Sequence, residues 1–148
     1  MPRLGALRYP KEATLWMDEF EPLDEWDMAA VAQTGTLYYF YYTQPSITVG
    51  HGAQRHFTLK GGLYRLSVLG LMNADEVMIS WYIDDVLAVA DQDWYNETPA
   101  YSRVQTATVT VYGDGDHTLK WVVSGQNVLS TGWHARLTKA YFQWLGEG

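Results

Sequence analysis

The sequence predicts an all-β fold: a two-sheet antiparallel jelly-roll β-sandwich with an extended N-terminal arm. Three observations point there. From residue 34 onward the chain is rich in Val, Ile, Thr, Tyr, Phe and Trp, with apolar side chains recurring at every second position. Clusters of Gly, Asp and Asn interrupt these runs at intervals of about 8–12 residues, the spacing of sandwich strands. Only the window "DEWDMAAVAQ" (24–33) leans toward a turn or two of helix.

Taken in order, residues 1–13 form the arm and residues 14–148 the sandwich. The first eleven residues carry Arg3, Arg8 and Lys11 and no acid, while Pro2, Gly5 and Pro10 prevent a regular element. Residues 18–27 reverse the charge, with Asp18, Glu19, Glu21, Asp24, Glu25 and Asp27, and are expected to form a solvated loop. "TGTLYYFYYT" (34–43) is a strand. "ITVGHGAQRHFTL" (47–59) reads as two short strands around a Gly-His-Gly turn. "GGLYRLSVLGL" (61–71) sets Leu63, Arg65 and Ser67 against Tyr64, Leu66 and Val68, the alternation of a half-buried strand. "EVMISWYIDDVLAVAD" (76–91) is a hairpin with Val77, Ile79, Trp81 and Ile83 on one face and Asp84-Asp85 at the turn. "RVQTATVTVYGDGDHTLKWVVSG" (103–125) supplies two further strands, and "ARLTKAYFQWL" (135–145) closes the chain.

Composition removes several function classes. The 148 residues are 47% apolar and 18% charged, the balance of a folded domain rather than a disordered segment. A net charge of −7 argues against a general nucleic-acid binder, which needs a basic face to displace phosphate counterions. Absence of cysteine excludes disulfides and thiolate metal sites. The N-terminus lacks the apolar core of a signal peptide, so synthesis in the cytoplasm without export is expected. No run approaches the ~20 apolar residues of a membrane-spanning helix.

The Asp, Gly and His of "VYGDGDHTLKWVV" (111–123) invite a metal reading. Asp114 and Asp116 fall short of the six oxygen ligands, ending in a bidentate Glu, of an EF-hand loop. A hairpin turn is expected instead, with Gly and Asp accommodating positive φ. His117 shares its face with Leu119, Trp121 and Val123 and suits a hydrogen-bonded sheet margin. His51 and His56 lack the partners zinc requires. No serine among Ser67, Ser80, Ser102, Ser124 and Ser130 lies in a nucleophile motif, and no glycine-rich phosphate loop occurs. No catalytic residue, metal ligand or cofactor is expected, and the chain is read as a binding protein rather than an enzyme.

The candidate binding surface is aromatic. In "LYYFYY" (37–42) alternation sends Tyr38, Phe40 and Tyr42 to one face and Tyr39 and Tyr41 to the other, so some rings lie near the surface. Tyr enrichment at such surfaces marks a subunit interface or a sugar-stacking platform. "DQDWYNETPAY" (91–101) adds Trp94 and Tyr95 on a second loop expected to reach a partner.

"FTLKGGLYRLSVLGL", "VMISWYIDDVLAV", "ATVTVYGDGDHTLKW" and "ARLTKAYFQWL" follow one another in an order that resembles the galactose-binding-like domains and carbohydrate-binding modules. That resemblance, over roughly residues 14–145, implies the jelly roll and carbohydrate as a candidate ligand. The overall design, with its basic arm and aromatic surface, is similar to the decoration proteins of tailed-phage capsids. This second resemblance implies a homotrimer on the outer surface of a virion. Its partners would be the major capsid protein and its own subunits, with Arg3, Leu4, Leu7, Arg8 and Tyr9 as arm contacts and Tyr38, Tyr39, Tyr41, Tyr42, Trp94 and Tyr95 as the aromatic interface. A carbohydrate-binding module is the alternative; neither nucleic acid nor membrane is an expected partner.

Overall fold

The computed structural model describes residues 8–23, 29–34, 37–42 and 49–148, the two middle stretches as backbone alone. Eleven strands are described: β1 (Glu12–Trp16), β2 (Glu21–Pro22), β3 (Ala29–Thr34), β4 (Leu37–Tyr42), β5 (Gly52–Leu59), β6 (Gly62–Met72), β7 (Met78–Ile83), β8 (Val86–Asp93), β9 (Ala100–Val111), β10 (Gly115–Gly125) and β11 (Ala135–Gly146). They form two antiparallel sheets. The first runs β3-β4-β11-β6-β9, with β1 also paired to β11; the second runs β2-β5-β10-β7-β8. Strands adjacent in sequence repeatedly cross between sheets, as the expected jelly roll requires.

Alternation decides which side chains meet between the sheets. Val77, Ile79, Trp81 and Ile83 are all buried, as are Leu119, Trp121 and Val123 of the neighbouring strand, with Trp121 directly opposite Trp81. The first sheet answers with Tyr64, Leu66, Val68, Ala140 and Phe142. Phe57 of the second sheet stacks on Phe142 of the first at 4.9 Å, and Tyr64 meets Phe142 edge-on at 5.9 Å.

One end of the sandwich is fastened by its turns. Asp84 and Asp85 both take positive φ (50° and 65°), the left-handed pair of a tight two-residue hairpin. Asp84 Oδ1 accepts the Thr118 N–H at 2.9 Å, and its Oδ2 lies 2.7 Å from His117 Nδ1. The other ring nitrogen of His117 is 2.8 Å from the Gly113 carbonyl. Asp114 accepts the Gly61 N–H at 2.8 Å, and Asp116 accepts the Thr58 hydroxyl at 2.8 Å. Asp114 and Asp116 thus tie the 113–116 turn to the β5–β6 connection, and His117 ties it to the β7–β8 hairpin. The turn is not the hairpin expected there, because β9 pairs with β6 in the first sheet and β10 with β5 and β7 in the second, so it carries the chain from one sheet to the other.

Three more expectations need correction. Ala29–Thr34 is strand β3, not helix, because its backbone pairs with β4. The local helix propensity of its alanines yields to that pairing. The acidic run is not a plain solvated loop: Met17–Glu19 form a 3₁₀ turn, Phe20 is buried, and β2 pairs with β5. Trp94 is not a surface residue. It is 1% exposed, and its indole N–H donates to Gln92 Oε1 at 3.0 Å. Trp81 donates its own indole N–H to the same oxygen, also at 3.0 Å. One buried amide thus satisfies two buried indoles, which is how Trp94 is drawn inward from a polar stretch of sequence.

Gln92→Leu keeps volume but leaves both indole N–H groups without an acceptor. Each orphaned donor costs about 1–3 kcal/mol, so the urea midpoint should fall by the equivalent of about 2–4 kcal/mol with the slope of the transition unchanged.

Candidate functional site

β11 carries the site. Its outward residues line up with those of three neighbours in rows fixed by register. Trp16, Lys139, Leu69 and Val104 form one row; Thr14, Tyr141, Ser67 and Thr106 the next, with Ser67 itself covered; Glu12, Gln143, Arg65 and Thr108 the third. Their inward neighbours Leu15, Ala140, Phe142, Leu66 and Val68 are buried in the core, so this face of the first sheet looks outward.

Trp16 is 43% exposed, an unusual setting for so large an apolar ring. It is held in place by Lys139, whose Nζ lies 4.8 Å from the indole centroid and 5.6 Å from that of Tyr141. Two rows below, the face deepens into a groove of about 820 Å³ lined by Pro10, Lys11, Glu12, Arg65, Gln143, Trp144 and Leu145. Trp144 meets Tyr64 edge-on at 5.3 Å and carries Lys11 Nζ 4.8 Å from its centroid. Beneath it, the Tyr64 hydroxyl donates to the Lys60 carbonyl at 2.6 Å; burial, with the Asp114 charge adding to it, pushes that phenol up to about 12, so it stays a donor. A second groove of about 480 Å³ adjoins the first at Lys11 and is lined by Arg8, Tyr9, Lys60 and Asp114. Flat aromatic rings beside amide and guanidinium groups suit a ligand with both apolar faces and many hydroxyls.

The sequence-expected residues distribute unevenly over this geometry. Arg8 and Tyr9 line the second groove, and the Pro10 carbonyl accepts the Lys60 N–H at 2.9 Å, which ties the end of the arm to its own domain. Residues 12 and 13, assigned to the arm, lie in β1. Arg3, Leu4 and Leu7 lie outside the described residues, as do the side chains of Tyr38, Tyr39, Tyr41 and Tyr42. Tyr95 is half-buried beside Asn73, and Trp94 is interior. Sequence reasoning missed Trp16, Lys139 and Tyr141. Alternation in "EATLW" places Trp16 opposite Leu15, yet only the pairing of β1 with β11 brings it to Lys139 and Tyr141.

A second polar cluster lies at the opposite end of the sandwich, with Glu76 buried and Asp75, His134 and Arg136 partly exposed around it. Glu76 is wholly buried, with Arg136 Nη1 3.0 Å from its carboxylate. Arg136 also pairs with Asp75 at 3.4 Å and hydrogen-bonds His134. Burial pushes the Glu76 carboxyl well above the usual carboxylate range against the pull of Arg136. Burial, reinforced by Arg136, holds the His134 imidazole below its ordinary value. The cluster ties the 73–77 loop to the start of β11, and its chemistry is that of an interior ion pair.

No protein-family model and no curated protein sequence matches the chain. Solved structures do. A xanthan lyase from Paenibacillus aligns with a TM-score of 0.72 at 12% identity over 89% of this chain; the chain spans 13% of that enzyme's length. A family 36 carbohydrate-binding module in complex with calcium and xylotriose aligns at 0.61 and 15% identity, over 88% of this chain and 98% of that one. A family 35 module from Clostridium thermocellum aligns at 0.60 and 7% identity, over 92% and 100% respectively. The chain thus shares the two-sheet jelly-roll fold of these modules. Among the described residues no group of three or more His, Asp or Glu is placed to hold a metal ion.

Arg136→Met leaves the Glu76 carboxyl buried without its counter-ion and should cost about 3–5 kcal/mol, whereas Glu76→Gln/Arg136→Met should recover part of that loss. Because the folded state holds the Glu76 proton more tightly than the unfolded chain, this group's contribution to stability is complete below about pH 4.5 and declines as pH rises toward its elevated value. Glu76→Gln should flatten that decline in urea titrations taken at a series of pH values.

Proposed function

We propose that this chain is a non-catalytic carbohydrate-binding module whose ligand lies across the outward face of the first sheet. The observation that carries the reading is the exposed Trp16, propped by Lys139 beside Tyr141 and continuous with the groove at Gln143, Arg65 and Trp144. A pyranose ring presents C–H faces that stack on indole, and equatorial hydroxyls that hydrogen-bond amides and guanidinium groups. Such sites combine apolar rings with a few placed polar groups. The fold adds support, since the family 35 and 36 modules it resembles are matched over nearly their whole length. The chain acts by holding a glycan, with no bond made or broken. This reading takes precedence over the capsid-decoration expectation, whose described contacts are better used here: Arg8 and Tyr9 line a groove, and Trp94 belongs to the core.

Affinity electrophoresis through gels containing soluble polysaccharides tests it. At least one glycan should retard the protein, and Trp16→Ala should weaken that retardation about tenfold, near 1.4 kcal/mol, with the melting temperature unchanged. Undiminished retardation of a folded Trp16→Ala variant would overturn this placement of the site.

A further inference from the structure

Charge is distributed very unevenly over this molecule. It carries 17 acidic residues against 10 Lys and Arg, yet Glu12 is the only acid in any strand of the first sheet. The outward face of that sheet instead carries Arg65 and Lys139, and the two adjoining grooves add Arg8, Lys11 and Lys60. Half of the chain's Lys and Arg therefore gather on one face and its lower end, in a protein whose net charge is −7.

Among the described residues these cations are largely uncompensated. Lys60 reaches Asp114 at 3.8 Å, a long contact between partly exposed groups. Among the described residues no acid lies within ion-pair distance of Arg8, Lys11, Arg65 or Lys139. Lys11 and Lys139 sit over aromatic rings instead, which keeps their ammonium groups at the surface. The acids facing the grooves are Glu12 in the first and Asp114 in the second. A neutral sugar gains little from such a row, because cations left without counter-ions repel one another. A ligand bearing regularly spaced negative groups relieves that repulsion and adds charge-assisted hydrogen bonds to the guanidinium forks.

Resting on the carbohydrate-binding reading above, we propose that the ligand is an acidic polysaccharide. Its pyranose rings lie against Trp16 and Tyr141, and its carboxylates meet Arg65, Lys11 and Arg8 where the two grooves join. Each exposed contact is weak on its own. Recurrence along a polymer is what makes them count, and their exposure makes the binding sensitive to salt.

The test measures binding of the full chain by isothermal titration to polyuronates (polygalacturonate and polyglucuronate), each beside its carboxyl-reduced neutral form, with polyglutamate as a polyanion that is not a glycan. At low ionic strength a polyuronate should bind at least tenfold more tightly than its reduced form and than polyglutamate, and affinity should fall as salt is raised. Lys11→Ala/Arg65→Ala should lose about tenfold toward the polyuronate. Glu12→Gln, which removes the one acid in the first groove, should gain two- to threefold, so that the outcome does not hang on the double variant folding. Equal binding of charged and reduced polymers, unaffected by these substitutions, would overturn the acidic-ligand proposal and leave the carbohydrate reading standing. Polyglutamate binding as tight as polyuronate binding would overturn it as simple ion exchange. Lack of binding to any glycan, charged or neutral, would overturn both.

Discussion

Everything outward on the first sheet depends on how β11 divides its hydrogen bonds. One edge of this strand pairs with β6 along nearly its whole length. The other edge is shared: Ala135–Leu137 pair with β4, and Lys139–Gln143 pair with β1. The register shift between Leu137 and Lys139 falls between those two partners, with Thr138 buried at the irregularity. A bulge of this kind re-aims the residues that follow it. Here the strand resumes with Ala140 and Phe142 inward and Lys139, Tyr141 and Gln143 outward, which is why an aromatic and polar face exists on one side of a tightly filled core.

The strands that fill that core were legible because burial imposes a two-residue period that a reader can see. Val77, Ile79, Trp81 and Ile83 declare their shared face, and Asp84-Asp85 declares the turn. The turn at 113–116 was legible for a related reason, since Gly113 (84°) and Gly115 (125°) supply the positive φ it needs. That it joins strands of different sheets instead of forming a hairpin was not, because only the pairing of β9 with β6 and of β10 with β5 and β7 decides it. Where local signals competed with distant pairing, the sequence misled. Ala29–Thr34 leans toward helix in isolation and becomes a strand because β4 offers it an edge. Trp94 sits among Asp91, Gln92, Asp93 and Asn96, surroundings that suggest a solvated loop. Its burial follows from a single amide oxygen, and a linear reading does not show that Gln92 turns inward to serve it. The site itself was the least legible part. Trp16 and Tyr141 come from opposite ends of the chain, and no periodicity connects them before the topology is known.

The two polar clusters at opposite ends of the sandwich show how similar residue types serve different purposes. Asp75, His134 and Arg136 gather around the buried Glu76, and the interaction fixes a loop to the start of β11. Lys11, Arg65 and Lys139 are left facing solvent with aromatic rings for neighbours. Burial and pairing, rather than residue identity, separate the structural set from the one available to a ligand.

Trp16 is the most exposed indole among the described residues; Trp133 and Trp144 are half-buried, and Trp81, Trp94 and Trp121 are buried. It also stands beside an ammonium group. The protein consequently carries an optical probe on the face proposed to bind its ligand. Its surroundings favour collisional quenching by iodide over caesium, because the local potential draws the anion in and turns the cation away. A ligand covering that ring shields it from both ions. Occupancy of the face can then be followed in the native emission of the chain, without a label and without altering a residue.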